Sequence, residues 1–352
     1  MLIWIGFLSF ILVLLALDLG VFHREARVVR TREAIGWCAV WVSVALAFAA
    51  FVYFGYDRHW FGLGLHPDDS AANATLQFLT GYVVELSLSI DNVFVIAMLF
   101  TYFGVPRQYQ HRVLYWGILG ALVMRGAMIG VGAALVAEFS WILYIFGIFL
   151  LVTAVKMWFM GESETNPEHN IVIRLIRRWL PVTRQFHGER FIVRDRVDGR
   201  LMLTPLALVL VMVETTDLIF AVDSIPAIFA ITTDPFLVFT SNVFAILGLR
   251  SLYFALAGAL HAFHYLKHAL SAVLFTVGAK LLAHDWLEAR LGEHFNLYLL
   301  VAVIGILATG VLASIWDQRT RQNVDGAAPD TGPGLYQKAV QPVTTAADSF
   351  VV

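Results

Sequence analysis

Glu85, Asp91, Glu214, Asp217 and Asp223 all lie inside long apolar runs, the first two between residues 76 and 103 and the other three between 203 and 230. An ionised acid at the centre of a membrane helix costs ~2.5–3.5 kcal/mol, so five left unpaired would cost on the order of 12–17 kcal/mol. Something must offset them: a cation, protons or buried bases. Four bases are available in other apolar runs: Arg125, Lys156, Arg250 and Lys280. Counting Asp18 near the end of the first run, buried acids still exceed buried bases by two negative charges. One divalent cation would neutralise that surplus, and so would protonation of two carboxylates. The alternative that needs no ligand is ion pairing, with the four bases holding four of the acids.

Ligand chemistry narrows the cation. Asn92 and Ser224 directly follow Asp91 and Asp223, and neither acid-bearing run contains a thiol or an imidazole. Hard oxygen donors of this kind suit Mg²⁺, Ca²⁺ or Mn²⁺ rather than Zn²⁺ or Cu⁺. The candidate metal-binding set is therefore Glu85, Asp91, Asn92, Glu214, Asp217, Asp223 and Ser224. A six-residue step turns a helix through ~600° and climbs ~9 Å, so Glu85 and Asp91 do not share a face. One acid of each pair is expected to hold the ion and the other to pair with a base or line the access route, without either role being assigned. Pro226 cannot donate to the carbonyl of Val222, which leaves an oxygen beside Asp223 that serves either as a ligand or simply at a kink. His261, His264 and His268 form an i, i+3, i+7 group that reads either as a metal or pH-sensing cluster or as interfacial histidines.

The elements that must position these residues follow from composition. Of 352 residues, 59% are hydrophobic and 14% charged, against roughly 25% charged in a soluble domain. The apolar residues come in blocks of the ~20 residues that cross a bilayer as a helix. The expected fold is an all-α polytopic membrane protein with about nine spans, near 2–22, 36–56, 76–103, 113–136, 140–160, 203–230, 236–256, 268–284 and 294–315. Lys and Arg are retained on the cytoplasmic side of short loops. Of the 24 basic residues, 18 fall after spans 1, 3, 5, 7 and 9, while only Arg58 and Arg290 lie in the alternate loops. This places the N-terminus outside and the C-terminus in the cytoplasm. All ten tryptophans fall near span ends or in loops, as an aromatic belt requires. The first block begins at Leu2 with no basic residue before it and no small-residue cleavage site after it, so it reads as a retained helix.

The chain divides into a membrane domain over 1–316, a cytoplasmic loop inserted at 161–202 and a tail over 317–352 expected to be disordered. Within the loop, Ile171, Val172, Leu175, Ile176, Trp179 and Leu180 interleave with Arg174, Arg177 and Arg178, the pattern of a short basic helix on the inner leaflet. Alternation through Phe191, Val193 and Val197, ending in Asp198-Gly199, predicts a small hairpin. Both stretches read equally as a solvated connector. The expected contacts are membrane lipid and a divalent metal ion, with protein partners unspecified and no resident cofactor. Nothing in the charge balance points to nucleic acid. A single cysteine, Cys38, excludes a disulfide, a redox dithiol and a thiolate cluster. The chain is not expected to be an enzyme.

The acid motifs repeat. The interval that carries Glu85 to Asp217 also carries Asp91 to Asp223 and Asn92 to Ser224. Nearly the same interval carries Arg125 to Arg250 and Lys156 to Lys280. Spans 3–5 and 6–8 thus read as two copies of one three-helix unit. An odd number of spans per copy makes the second copy enter the membrane from the opposite side, the inverted repeat of secondary transporters with cargo near the midplane.

The stretches Glu85-Leu-Ser-Leu-Ser-Ile-Asp91-Asn92-Val-Phe-Val, Glu214-Thr-Thr-Asp217-Leu-Ile-Phe-Ala-Val-Asp223-Ser224-Ile-Pro226-Ala-Ile-Phe-Ala and Phe239-Thr-Ser-Asn242-Val-Phe-Ala-Ile-Leu-Gly-Leu-Arg250 resemble the signature segments of the TerC family, particularly its Alx-like bacterial members. The resemblance runs from span 1 through span 9. It implies a bacterial inner-membrane protein of metal homeostasis linked to manganese export, in a family named for tellurium resistance, with the acids of spans 3 and 6 as metal site. The histidine group is not part of that pattern, and one cysteine offers no chemistry for reducing tellurite. The function expected is a secondary transporter exporting Mn²⁺, with proton exchange as the coupling. The alternatives are a membrane-embedded protein that hands metal to partner enzymes, or a redox modulator. The last finds no thiol pair, nucleotide fingerprint or haem-ligand pair deep in the spans.

Overall fold

The computed structural model describes residues 2–20, 31–65, 70–139, 141–159, 181–183, 185–194, 199–256, 265–283, 286–287, 290 and 295–326. Among these residues nine α-helices form: α1 (Leu2–Gly20), α2 (Thr31–Asp57), α3 (Ala71–Tyr102), α4 (Arg107–Glu138), α5 (Ile142–Phe159), α6 (Pro205–Phe229), α7 (Pro235–Leu256), α8 (Leu266–Leu282) and α9 (Phe295–Gly326). Seven of them, all but α1 and α8, are long and apolar enough to cross a bilayer. Two short strands, β1 (Ile192–Arg194) and β2 (Leu201–Leu203), pair antiparallel with Ile192 opposite Leu203 and Arg194 opposite Leu201. They are the arms of the hairpin expected in the loop; residues 195–198 of its turn lie outside the described residues, as do the 171–180 stretch, His261 and His264.

The helices outrun their apolar cores because local chemistry sets their ends. Ser70 caps α3, its hydroxyl accepting from the Asn73 amide at 3.1 Å, and this adds a polar first turn that hydropathy alone does not mark. Thr204 caps α6 in the same way, with Pro205 in the first helical position where its missing N–H is harmless. Asp234 caps α7 by accepting from the Phe236 amide at 2.8 Å, and its other carboxylate oxygen accepts from the Tyr56 hydroxyl at the end of α2. α6 runs through Pro226 to Phe229 without a break. At the other end of the chain, α9 continues past Asp317 as far as Gly326, so the tail begins in helix; no proline or glycine interrupts 317–325.

α7 is enclosed by α2, α3 and α4 and is almost wholly buried. Its aromatic residues anchor one core: Phe244 lies 4.7 Å from Phe48, and Phe236 packs edge-on against Trp4 and Phe7. A second core joins α4, α5, α6, α8 and α9 through Ile129, Leu150, Phe229, Leu274 and Val303. Between these cores α3 meets both α6 and α7, and α4 meets both as well.

The closest crossing is that of α5 with α8. A Cβ on Gly278 would lie 3.0 Å from Leu150 Cβ and 3.1 Å from the Gly147 carbonyl oxygen. About two turns further along, the Ser271 hydroxyl donates to the Ala154 carbonyl at 2.6 Å. Association in lipid depends on such small residues, since the hydrophobic effect does not distinguish a helix surface from acyl chains. Gly278→Leu should therefore destabilise by about 1–3 kcal/mol through overpacking, seen as a lower melting temperature in detergent. Gly305→Leu on α9, where a Cβ meets nothing within 4 Å, should leave the transition unchanged.

Candidate metal-transport site

The buried centre is organised by one guanidinium. Arg125 stands on α4 and is 2% exposed. Its Nε donates to Asp217 Oδ2 at 3.1 Å and its Nη2 to Asp217 Oδ1 at 2.9 Å, a bidentate pair with α6. Its Nη1 donates to Glu85 Oε1 on α3, to Asn242 Oδ1 on α7 at 3.1 Å and to Ser224 Oγ on α6 at 3.3 Å. Asn92 Nδ2 on α3 adds a donation to Asp217 Oδ1 at 3.2 Å. Glu85 is also 2% exposed. Planar recognition of this kind suits arginine, whose five donors lie in a rigid fork.

The structure thus brings together Glu85, Asn92, Asp217 and Ser224 around Arg125. Glu214 sits one turn before Asp217 and lies against α4 at Gly120, so closely that a Cβ there would overlap its carboxyl group. Its Oε2 is buried and has no hydrogen-bond partner, as is Asn92 Oδ1. Asn92 and Asp217 line a crevice with Ile96, Leu114, Gly117, Val213, Phe220 and Leu249, among others, whose volume of about 10 Å³ is that of one water-sized sphere. Of the two unpartnered oxygens, the one on Asn92 belongs to a residue lining this cavity and provides an acceptor for a hard cation or for water.

Asp223 is half-buried and faces α5, where Thr153 donates to it and Lys156 is its counter-charge. Asp91 is half-buried on α3, and Asp18 lies in α1. Among the described residues no three acids, histidines or cysteines are gathered as a metal ion would require. Of the bases, Lys280 donates to the carbonyls of Ala230 and Ile231 at 2.5 and 3.4 Å, where α6 ends, and lies over the Phe295 ring. Arg250 donates to His111 Nε2 at 3.2 Å. His268 packs edge-on against Trp158 on α5.

Sequence reasoning assigned no role to three residues of this centre. Asn242 was visible as the polar member of Thr-Ser-Asn in an apolar run and within a segment resembling the family signature, and Gly120 only as a small residue on the turn of α4 facing Glu214. His111 lies in a polar first turn and gave no signal at all.

A bundle of apolar helices closed around a buried arginine–carboxylate centre defines a polytopic integral membrane protein. Residues 70–322 match the model of the integral membrane protein TerC family, and the chain belongs to that family. It is 47% identical over 327 residues to "Uncharacterized membrane protein STKORF319" of Myxococcus xanthus, covering 93% of this chain and 96% of that one. It is 45% identical to "Putative membrane-bound redox modulator Alx" of Photorhabdus laumondii, covering 90% and 95% of the two chains. The protein of the same name from Escherichia coli K12 is 44% identical, with 90% and 94% covered. No solved structure matches the chain.

Removing Arg125 would leave Glu85 and Asp217 facing each other in an apolar interior. Breaking a buried pair in this way costs about 3–5 kcal/mol. Arg125→Gln should accordingly lower the melting temperature in detergent sharply, and adding Asp217→Asn should restore part of the loss. Equal melting of wild type and Arg125→Gln would show that the guanidinium does not hold the bundle together.

Proposed function

We propose that the protein is a secondary transporter that exports a hard divalent cation from the cytoplasm. The observation that carries this reading is that acids related by the internal repeat, Glu85 and Asp217, converge from α3 and α6 on one buried cation, Arg125. A guanidinium supplies one positive charge to two carboxylates, and a divalent ion would supply two. Cargo binding would then displace Arg125 and recruit the unpartnered oxygens of Asn92 and Glu214. All donors within reach are oxygen, which fits Mn²⁺, Mg²⁺ or Ca²⁺; the family resemblance selects Mn²⁺.

The packing of α5 on α8 supports an inverted repeat. The interval from Lys156 to Lys280 also carries Gly147 to Ser271 and Ala154 to Gly278. The two close approaches along this seam, Gly147 with Gly278 and Ala154 with Ser271, are therefore mates of one another under that interval. Leu150 and Leu274, related in the same way, are both buried between them. Carboxylates released by the metal can take up protons, so a proton antiport is the coupling we assign.

The printed name of the Alx relatives favours a second reading, redox modulation. The only cysteine, Cys38 on α2, cannot form a dithiol within one chain, so such a role would act through metal supply or through a partner.

Purified protein in liposomes loaded with an Mn²⁺-sensitive dye tests the transport reading. Mn²⁺ should cross with the wild type and be slowed at least tenfold by Asp217→Asn, Glu214→Gln or the double variant Asp91→Asn/Asp223→Asn. A folded double variant that transports normally would remove Asp91 and Asp223 from the site, and absence of wild-type flux would leave the accessory role. Orientation is checked separately in a Cys38→Ala background. A membrane-impermeant maleimide added to intact cells should label Arg58→Cys and spare Gln185→Cys.

A further inference from the structure

Resting on the transporter reading and the repeat, we infer that Gly81 with Ile228 forms the outer gate of the pathway and Ile96 with Val213 its inner gate, the first shut and the second loosened in this structure. The interval that carries Glu85 to Asp217 carries Gly81 to Val213 and Ile96 to Ile228. Gly81·Ile228 and Val213·Ile96 are thus the same pair of positions in the two copies. Their surroundings differ. Ile96 and Val213 both line the crevice beside Asn92 and Asp217. Gly81 instead lies so close to Ile228 and Ser241 that a Cβ on it would collide with the Ile228 side chain and sit 3.0 Å from Ser241 Oγ. The crevice falls in the halves of α3 and α4 nearest their connecting loop, the side that the basic residues place in the cytoplasm. The tight Gly81·Ile228 contact lies on the opposite side of Glu85 and Asp217. In a repeat of inverted topology the second conformation is reached when the copies exchange environments. Val213 would then close on Ile96 while Ile228 parts from Gly81.

The test uses full-length protein carrying Cys38→Ala in liposomes. With Gly81→Cys/Ile228→Cys, oxidation should form a bridge in the metal-free protein and stop Mn²⁺ flux, and reduction should restore it. Flux unchanged by complete bridging would overturn the outer gate. A chain bearing both this pair and Ile96→Cys/Val213→Cys separates the gate from the transport reading, because it is read by mass spectrometry and not by flux. One bridge should exclude the other; both in one molecule would overturn alternation whether or not Mn²⁺ is carried. Should the glycine variant fail to fold, Ile228→Cys alone serves. An impermeant thiol reagent added outside should react slowly in metal-free protein and at least fivefold faster with Mn²⁺ present, and equal rates would overturn the proposal.

Discussion

The guanidinium of Arg125 pairs with two acids at once, and the positions of four helices follow from that requirement. Water is absent from the bilayer core, so each polar atom there must find its partner in the protein. Arg125 reaches Asp217 and Ser224 on α6, Glu85 on α3 and Asn242 on α7 from its place on α4. Asp217 takes the Nε–Nη2 edge and Nη1 serves the other three, on a planar group whose donors cannot move relative to one another. The helices must therefore meet at fixed heights and rotations, which apolar packing alone would not impose, since leucine against leucine tolerates sliding. A lysine would bring one point charge and three donors to the same place without fixing those angles.

This constraint explains how much could be read from the sequence. Polar residues in apolar runs are rare and costly, so Glu85, Arg125 and Asp217 announced themselves by type, and each of the nine apolar blocks overlaps a helix among the described residues, seven of them long and apolar enough to cross a bilayer. What spacing could not give is who faces whom. Glu85 and Asp91 were expected to divide between cargo and counter-charge, and the partner of Glu85 is set by the rotation of α4 relative to α3, a tertiary quantity with no signature in either helix. Arg250 and Lys280 were grouped with Arg125 and Lys156 as holders of acids. In the structure Arg250 donates to His111, and Lys280 donates to backbone carbonyls where α6 ends. Those carbonyls are acceptors that every helix end possesses, so composition could not distinguish them from a carboxylate partner. Gly120 illustrates the same limit. Its use lies in the missing side chain, which leaves room for the Glu214 carboxyl.

Small residues matter twice in this fold, for different reasons. At the α5–α8 seam Gly147, Ala154, Ser271 and Gly278 let two backbones approach, and their matched spacing gives that pair of helices an internal symmetry. At Gly81 and Gly120 the same lack of a side chain admits a neighbour's side chain, Ile228 in one case and Glu214 in the other. The first kind of contact is shared alike by both copies of the proposed repeat. The second is not, because Gly81 corresponds to Val213, and a valine cannot receive an isoleucine as a glycine does.

That inequality bears on how the centre can work. Two identical copies would give two conformations of equal energy, with no preference for either side of the membrane. Here Arg125 lies among the acids while Arg250, its mate, lies against His111, and the tight apolar contact falls on one side only. The acid centre itself is nearly symmetric, with Glu85 opposite Asp217 and Asn92 opposite Ser224. Asymmetry therefore resides in the apolar contacts around a balanced set of polar side chains. On the proposed transporter reading, such a division would let the polar centre serve both conformations while the flanking residues set the balance between them.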